Sequence, residues 1–323
     1  MTVRETPLSN FTRRSLLAGA ATAAWAATKS PDGAEPRFYV AALTMLGRDG
    51  AVDEALVKDY LRYLERNGAE GILVLGTTGE FASFGVAERK KILEVYLKHR
   101  GKLSLMSQVG TSNLPETLDL LAHATAAGAE QALVVPPFYL KNPSVDGLAR
   151  YYDPILRAAR LPVLLYHIPQ NSGVPITPEL LQRLSTYERL YGVKDSFSKA
   201  EVLQANIRAF PNLRFFAGVT ANIEVDLREG GAGTISGNGS LYPRQTAAIF
   251  QAWREHGDVH AAQQRFDEAT AALTGFDGIP AMKFALGRLG MAESPSRAPF
   301  TELSPEKKQK LIGRLVRVSV LAS

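Results

Sequence analysis

Cysteine is absent from the 323 residues. That excludes disulfides, thiolate metal sites and a cysteine nucleophile. Histidine is scarce, with five residues. His256 and His260 stand four apart on what periodicity predicts to be one helix, but no acidic residue or third histidine joins them, so no metal site is expected there. No Ser-His-Asp arrangement stands out. Beyond residue 30, no apolar run approaches the roughly 20 residues a membrane helix needs. Basic stripes interleaved with aromatics are missing, and a net charge of +5 is too mild to argue for nucleic acid. What remains, 46% hydrophobic and 21% charged residues, is the composition of a soluble globular chain long enough to bury a large core without staples.

The first thirty residues carry a different signal. Thr12-Arg13-Arg14-Ser15-Leu16-Leu17 leads into an alanine-rich apolar run ending near Ala27, and Ala24-Trp25-Ala26 offers a small-x-small cleavage site. A basic stretch, a short apolar core and small residues describe an export signal, and the paired arginines suggest the twin-arginine type. We expect residues 1–30 to be this signal and the chain to be periplasmic; a frayed N-terminal helix on a cytoplasmic protein is the alternative.

From Phe38 onward two periodicities alternate. Short, continuously apolar runs near 38–44, 71–75, 103–109, 131–135, 162–166, 190–194, 213–217 and 233–236 are each followed by a segment with helical spacing. Continuous apolar strands are those buried on both faces, as in parallel sheets. Eight such units in about 220 residues predict a (β/α)8 barrel, over residues 36–257. The alternative, an open doubly wound sheet, would usually carry a glycine-rich phosphate loop after its first strand, and residues 44–52 do not resemble one. Residues 258–323 are predicted to add three helices as a C-terminal segment.

In such a barrel the reactive groups sit at the C-terminal ends of the strands. Strand six ends in Lys194. Burial disfavours a lysine's charged form, and a neutral amine can attack a ketone to form an imine, whose protonated form is an electron sink. The pattern also leaves open a lysine paired with Asp195 or one that holds a phosphate. Strand five ends in Tyr166, which can pass protons to a carbinolamine if it faces the barrel axis, or can fill core with its hydroxyl tied to backbone. Thr77 and a second tyrosine are candidate partners for it. His167 should then point outward and be structural. Gly76-Thr77-Thr78-Gly79 supplies two hydroxyls and exposed amides before a helix, a seat for a carboxylate or simply a capped turn. Glu80 could cap or pair and is assigned no chemistry.

Taken in order, these strand ends resemble the dihydrodipicolinate synthase / N-acetylneuraminate lyase family. Gly76-Thr77-Thr78-Gly79-Glu80 is similar to its Gly-Thr-Thr-Gly-Glu turn. Tyr166-His167-Ile168-Pro169 is similar to its Tyr-x-x-Pro, and Gly192-Val193-Lys194-Asp195-Ser196 to its lysine motif on strand six. The resemblance runs from about Tyr39 into the C-terminal helices. It implies that Lys194 forms the imine, that Tyr166 shuttles protons, that Thr77 relays them, and that Thr78, with Gly79 in the same turn, binds the substrate carboxylate. It further implies that Tyr139 enters a neighbouring subunit's site, hence a homodimer or homotetramer, and that Gly218 and Ile235 line the pocket. It implies a 2-oxo acid substrate such as pyruvate and neither metal nor organic cofactor.

One departure bears on the second substrate. In dihydrodipicolinate synthases the loop after strand five carries an arginine, and Asn171 stands in that place here. A neutral amide cannot replace a bidentate guanidinium. The expectation is therefore a lyase or aldolase acting on a hydroxy-oxo acid or deoxy sugar acid. The alternatives are dihydrodipicolinate synthesis proper, a sugar-acid dehydratase, and an exported protein that binds a 2-oxo acid without turnover.

Overall fold

The computed structural model describes residues 33–197 and 199–318; the expected export signal at 1–30 lies outside them. Eight parallel strands close on themselves in the order β1 to β8, with β1 pairing both β2 and β8. They are β1 (Arg37–Ala41), β2 (Gly71–Val74), β3 (Ser104–Gln108), β4 (Gln131–Val134), β5 (Val163–His167), β6 (Leu190–Asp195), β7 (Arg214–Ala217) and β8 (Gly233–Ser236). The outer ring comprises α1 (Glu54–Arg66), α2 (Val86–His99), α3 (Leu114–Ala127), α4 (Val145–Ala158), the one-turn α5 (Pro169–Ser172), α6 (Pro178–Leu184), α7 (Ala200–Ala209), α8 (Ile223–Arg228) and α9 (Pro243–Arg254). Then come α10 (Val259–Ala271), α11 (Gly278–Arg288) and α12 (Pro305–Arg317). The chain is a (β/α)8 barrel.

The strands are apolar on both faces because both faces are covered. Side chains alternate across a strand, so Val163 and Leu165 of β5 pack outward against helices while Leu164 and Tyr166 join Leu73, Leu133, Phe216 and Ile235 inside the barrel. That inner packing makes the barrel a filled core rather than a pore. It also fixes which residues at the strand ends face the axis.

The helices begin where their sequences say they should. Asp53, Asn113, Ser144, Thr177 and Ser304 each accept a backbone N–H of the first turn, satisfying donors that a helix start leaves open. One expectation fails. His256 and His260 do not share a helix, because α9 ends at Arg254, His256 lies in the turn with φ +55°, and α10 starts at Val259. Asp258 caps α10 by accepting the Ala261 N–H at 2.9 Å, and His260 instead meets Glu224 at 2.9 Å.

The C-terminal helices are fastened to the barrel mouth by a buried ion pair. Lys283 of α11 donates to Glu80 Oε1 at 2.6 Å and to the Pro295 carbonyl at 2.6 Å, while Glu80 Oε2 accepts the Arg297 N–H at 2.8 Å. Glu80 takes a left-handed conformation (φ 58°), rare for a residue with a Cβ. Its two carboxylate oxygens are both used in holding the last residue of the Gly76–Glu80 turn in place.

Candidate active site

Lys194 is the fifth residue of β6, and its register partner on β5 is Tyr166. Since paired residues of parallel strands share a face, both side chains enter the barrel. The Lys194 amine lies 3.3 Å from the Tyr166 hydroxyl and 4.4 Å from its ring centroid. Both residues are buried, 3% and 2% exposed. Among the described residues no carboxylate lies within ion-pair distance of Lys194. The sequence had left a pairing with Asp195 open; alternation sends Asp195 to the other face of β6, where its Oδ2 meets His167 Nδ1 at 3.2 Å.

The Tyr166 hydroxyl continues to Thr77 Oγ1 at 3.3 Å. Amine, phenol and hydroxyl therefore form one chain from three strand ends, β6 to β5 to the turn after β2. Thr77 is half-buried, at the mouth. A chain of this kind can carry a proton between the amine and the opening of the barrel.

The turn after β2 has the open donors that an anion seat requires. The backbone N–H groups of Thr77, Thr78 and Gly79 donate to no protein acceptor among the described residues, and neither does the Thr78 hydroxyl. Amides in such a turn are strong donors that must find an acceptor in water or ligand. The turn is held rigid from behind: Thr44 Oγ1 donates to the Gly79 carbonyl at 2.6 Å, and the Glu80 N–H to the Thr77 carbonyl at 3.0 Å. Gly237 lies close to this turn: a Cβ there would come within 2.7 Å of Thr78 Oγ1, which would have to turn away.

The remaining expected site residues distribute unevenly. Gly218, half-buried after β7, sits against β6: its N–H donates to the Asp195 carbonyl at 2.6 Å, and any Cβ would overlap Ser196 Oγ. Ile235 of β8 is fully buried in the inner cluster beneath the mouth. Asn171 is exposed on α5, and its side-chain amide makes no hydrogen bond among the described residues. Tyr139 is not part of the hydrogen-bonded chain. It follows β4 and is 80% exposed, next to Leu140 at 75%.

Two features were not foreseen. One is the Glu80–Lys283 pair, whose partners are 203 residues apart. The other is that His167, expected to be structural and outward, shares its register with Asp195 one step beyond Tyr166 and Lys194. No group of three or more His, Asp or Glu among the described residues could hold a metal ion. No helix among them is long and apolar enough to cross a membrane.

Comparison with known proteins places this geometry among relatives. The model of the dihydrodipicolinate synthetase family matches residues 36–317. An uncharacterized DapA-like lyase of Chloroflexus aurantiacus is 38% identical over 292 residues, covering 88% of this chain and 98% of that protein. The 4-hydroxy-tetrahydrodipicolinate synthase of Methanopyrus kandleri is 30% identical, covering 84% of this chain and 92% of that one. Among solved structures, YagE, a prophage protein of the dihydrodipicolinic acid synthase family from E. coli K12 in complex with pyruvate, superimposes with a TM-score of 0.84. It is 25% identical, over 88% of this chain and 99% of YagE.

Proposed function

The chain belongs to the dihydrodipicolinate synthetase family, and on that premise we propose that it makes or breaks a carbon–carbon bond next to the carbonyl of a 2-oxo acid, through an imine on Lys194. It is a Schiff-base lyase by class. The observation that carries it is the buried Lys194 amine set 3.3 Å from a phenol, with no carboxylate within ion-pair distance among the described residues.

The steps follow from the positions. The substrate carboxylate takes the amides of Thr77, Thr78 and Gly79 and the Thr78 hydroxyl, which brings the ketone carbon toward Lys194. The amine attacks that carbon, and Tyr166 gives the carbinolamine oxygen a proton so that it leaves as water. The protonated imine draws electrons from the adjacent carbon, which loses a proton and becomes the nucleophilic carbon of an enamine. In condensation this carbon attacks an aldehyde, whose oxygen takes a proton; in cleavage the same bond breaks and the proton returns. Water finally hydrolyses the imine and frees the lysine. Thr77 connects Tyr166 to the mouth and returns its proton between steps. Gly218 and Ile235 shape the pocket beside and beneath the imine.

That YagE was solved with pyruvate supports a 2-oxo acid as the first substrate. For the second, Asn171 offers a neutral amide where a dicarboxylate partner would need a guanidinium, which favours a hydroxy-oxo acid or deoxy sugar acid. Dihydrodipicolinate synthesis itself is the second reading, favoured by the names of relatives near 30% identity. Exposed Tyr139 and Leu140 support a homo-oligomer in which Tyr139 reaches a neighbour's site, and the Arg13-Arg14 segment supports export. A reporter fused to residues 1–30 tests the latter, and sedimentation of wild type against Tyr139→Ala the former.

The deciding experiment is reduction with borohydride in the presence of pyruvate, followed by peptide mapping. A pyruvate-sized secondary amine on Lys194 is the expected product. No adduct with pyruvate or a panel of 2-oxo acids would sink the proposal, and an adduct on another lysine would reassign the nucleophile.

A further inference from the structure

The contacts between Lys194, Tyr166 and Thr77 are long, at 3.3 Å each, and none is an ion pair. Such contacts do not enforce their own spacing. The next rung of the same two strands is tied by more hydrogen bonds. His167 and Asp195 are register partners, both buried. Besides the 3.2 Å contact of Asp195 Oδ2 with His167 Nδ1, Asp195 Oδ1 accepts the Phe197 N–H at 2.8 Å. As a carboxylate can only accept, this contact assigns the Nδ1 proton to the imidazole.

The main chain repeats the connection. Ser196 N–H donates to the His167 carbonyl at 2.8 Å, and Gly218 N–H to the Asp195 carbonyl at 2.6 Å. Gln170 Nε2 donates to the Ser196 carbonyl at 2.8 Å, which brings in α5, the turn that carries Asn171. The His167 ring lies 5.6 Å from that of Phe197, so the imidazole is walled on the side of the chain leaving β6.

We propose that His167 and Asp195 are positioning residues for the imine chemistry: a buried hydrogen-bonded pair that locks the ends of β5 and β6 so that Tyr166 and Lys194 keep their spacing, with α5 held to the same frame. The inference rests on Lys194 being the nucleophile and Tyr166 its proton donor, and goes beyond it by assigning the rung behind them. Neither His167 nor Asp195 touches the substrate. Their effect comes from geometry, and misplacement of reacting groups by about 1 Å can cost on the order of a hundredfold in rate. An imidazole is suited to the role because its ring is rigid and reaches a carboxylate across one inter-strand gap. Leucine would fill the same space and leave Asp195 as a buried charge one donor short.

The test measures the rate of borohydride-trapped imine formation with pyruvate, plus kcat and KM on the natural direction once a substrate is found. The variants are H167L, H167N and D195N, with K194A as control. Asparagine at 167 places an N–H near the Nδ1 position and keeps the bond to Asp195. We expect H167L and D195N to trap roughly ten- to a hundredfold more slowly, still only on Lys194 and with KM changed little, while H167N returns to within about threefold of wild type on the same scale. Thermal unfolding checks that each variant is folded. H167L trapping at the wild-type rate would overturn the proposal, as would H167N remaining as slow as H167L. If H167L does not fold, D195N decides: at the wild-type rate it too overturns the pairing. Absence of any adduct in the wild type would mark failure of the imine reading itself, a separate outcome.

Discussion

Lys194 at the barrel mouth and Lys283 in the seam below α11 are exposed by only 3% and 2%, yet their surroundings differ in kind. Lys283 meets a carboxylate and a carbonyl, both at 2.6 Å. Burial pushes its ammonium down from the usual lysine range, and the Glu80 charge pulls the other way. Lys194 meets a phenol and the face of its ring, with a turn of open amides nearby. An ammonium clasped by a carboxylate is a strut, because its charged form is what the partner stabilises. An amine set beside a phenol and an open turn, with no ion-pair partner among the described residues, is left accessible to a ligand. Depth of burial is alike in the two; what separates the strut from the proposed nucleophile is the neighbours.

The comparison breaks most sharply at Lys194. Replacing it with alanine should abolish imine trapping and lower turnover by at least about a thousandfold, as loss of a covalent nucleophile does. Its melting temperature should change little, because no ion pair is lost. Tyr166→Phe should keep the stacking of ring and amine while cutting turnover by about 10²- to 10⁴-fold, the usual contribution of a positioned acid–base group. A rate loss in Tyr166→Phe equal to that of Tyr166→Ala would mean that the hydroxyl carries the effect and the ring does not.

Lys283 should behave in the opposite way. Lys283→Met removes the partner of Glu80 and leaves a buried carboxylate uncompensated, a loss of about 3–5 kcal/mol in unfolding free energy. The remaining folded enzyme should trap pyruvate on Lys194 at a rate near wild type. Adding Glu80→Gln to Lys283→Met should recover part of the stability, which denaturant titration of the single and double variants would read out. Recovery of nothing would show that the Pro295 and Arg297 contacts, rather than the ion pair, hold the seam.

The contrast also marks what the sequence could and could not convey. The barrel was legible because its strands are buried on both faces and so appear as unbroken apolar runs such as Gly71–Val74 and the run at 162–166. That Lys194, Tyr166 and Thr77 meet at one end of the barrel was legible because strand ends can be found from periodicity; the roles proposed for them came from the resemblance of their motifs. The His167–Asp195 contact was half legible: alternation gave the outward face of His167, whereas Asp195 was left open as a partner of Lys194, and the register that sets the two opposite one another was out of reach. The Glu80–Lys283 pair was out of reach, since nothing local links residues so far apart in the chain. The misplacement of His256 and His260 had a visible remedy. Gly257-Asp258 between them is a break followed by a helix-capping residue, a stronger signal than a four-residue spacing.

The smallest of the expected effects concerns a buried acid outside the site, and it extends the same comparison to a group whose burial outweighs the nearby positive charge. Asp226 of α8 is fully buried; its Oδ1 accepts the Gly233 N–H at 2.7 Å, while Oδ2 has no hydrogen-bond partner. Burial pushes its carboxyl well above the ordinary carboxylate range, against the smaller lowering by that backbone bond and by Arg214. With a folded-state value above the unfolded one, the native protein holds a proton that the unfolded chain releases. The contribution of Asp226 to stability should then be greatest at pH values below the ordinary carboxylate range and decline as pH rises from there through the raised value. Asp226→Asn copies the protonated acid and removes this dependence. Its melting temperature should match wild type at low pH and exceed it increasingly toward neutral and alkaline pH, with trapping at Lys194 unchanged. A variant that melts below wild type by the same margin at every pH would show that Asp226 is held there as an anion.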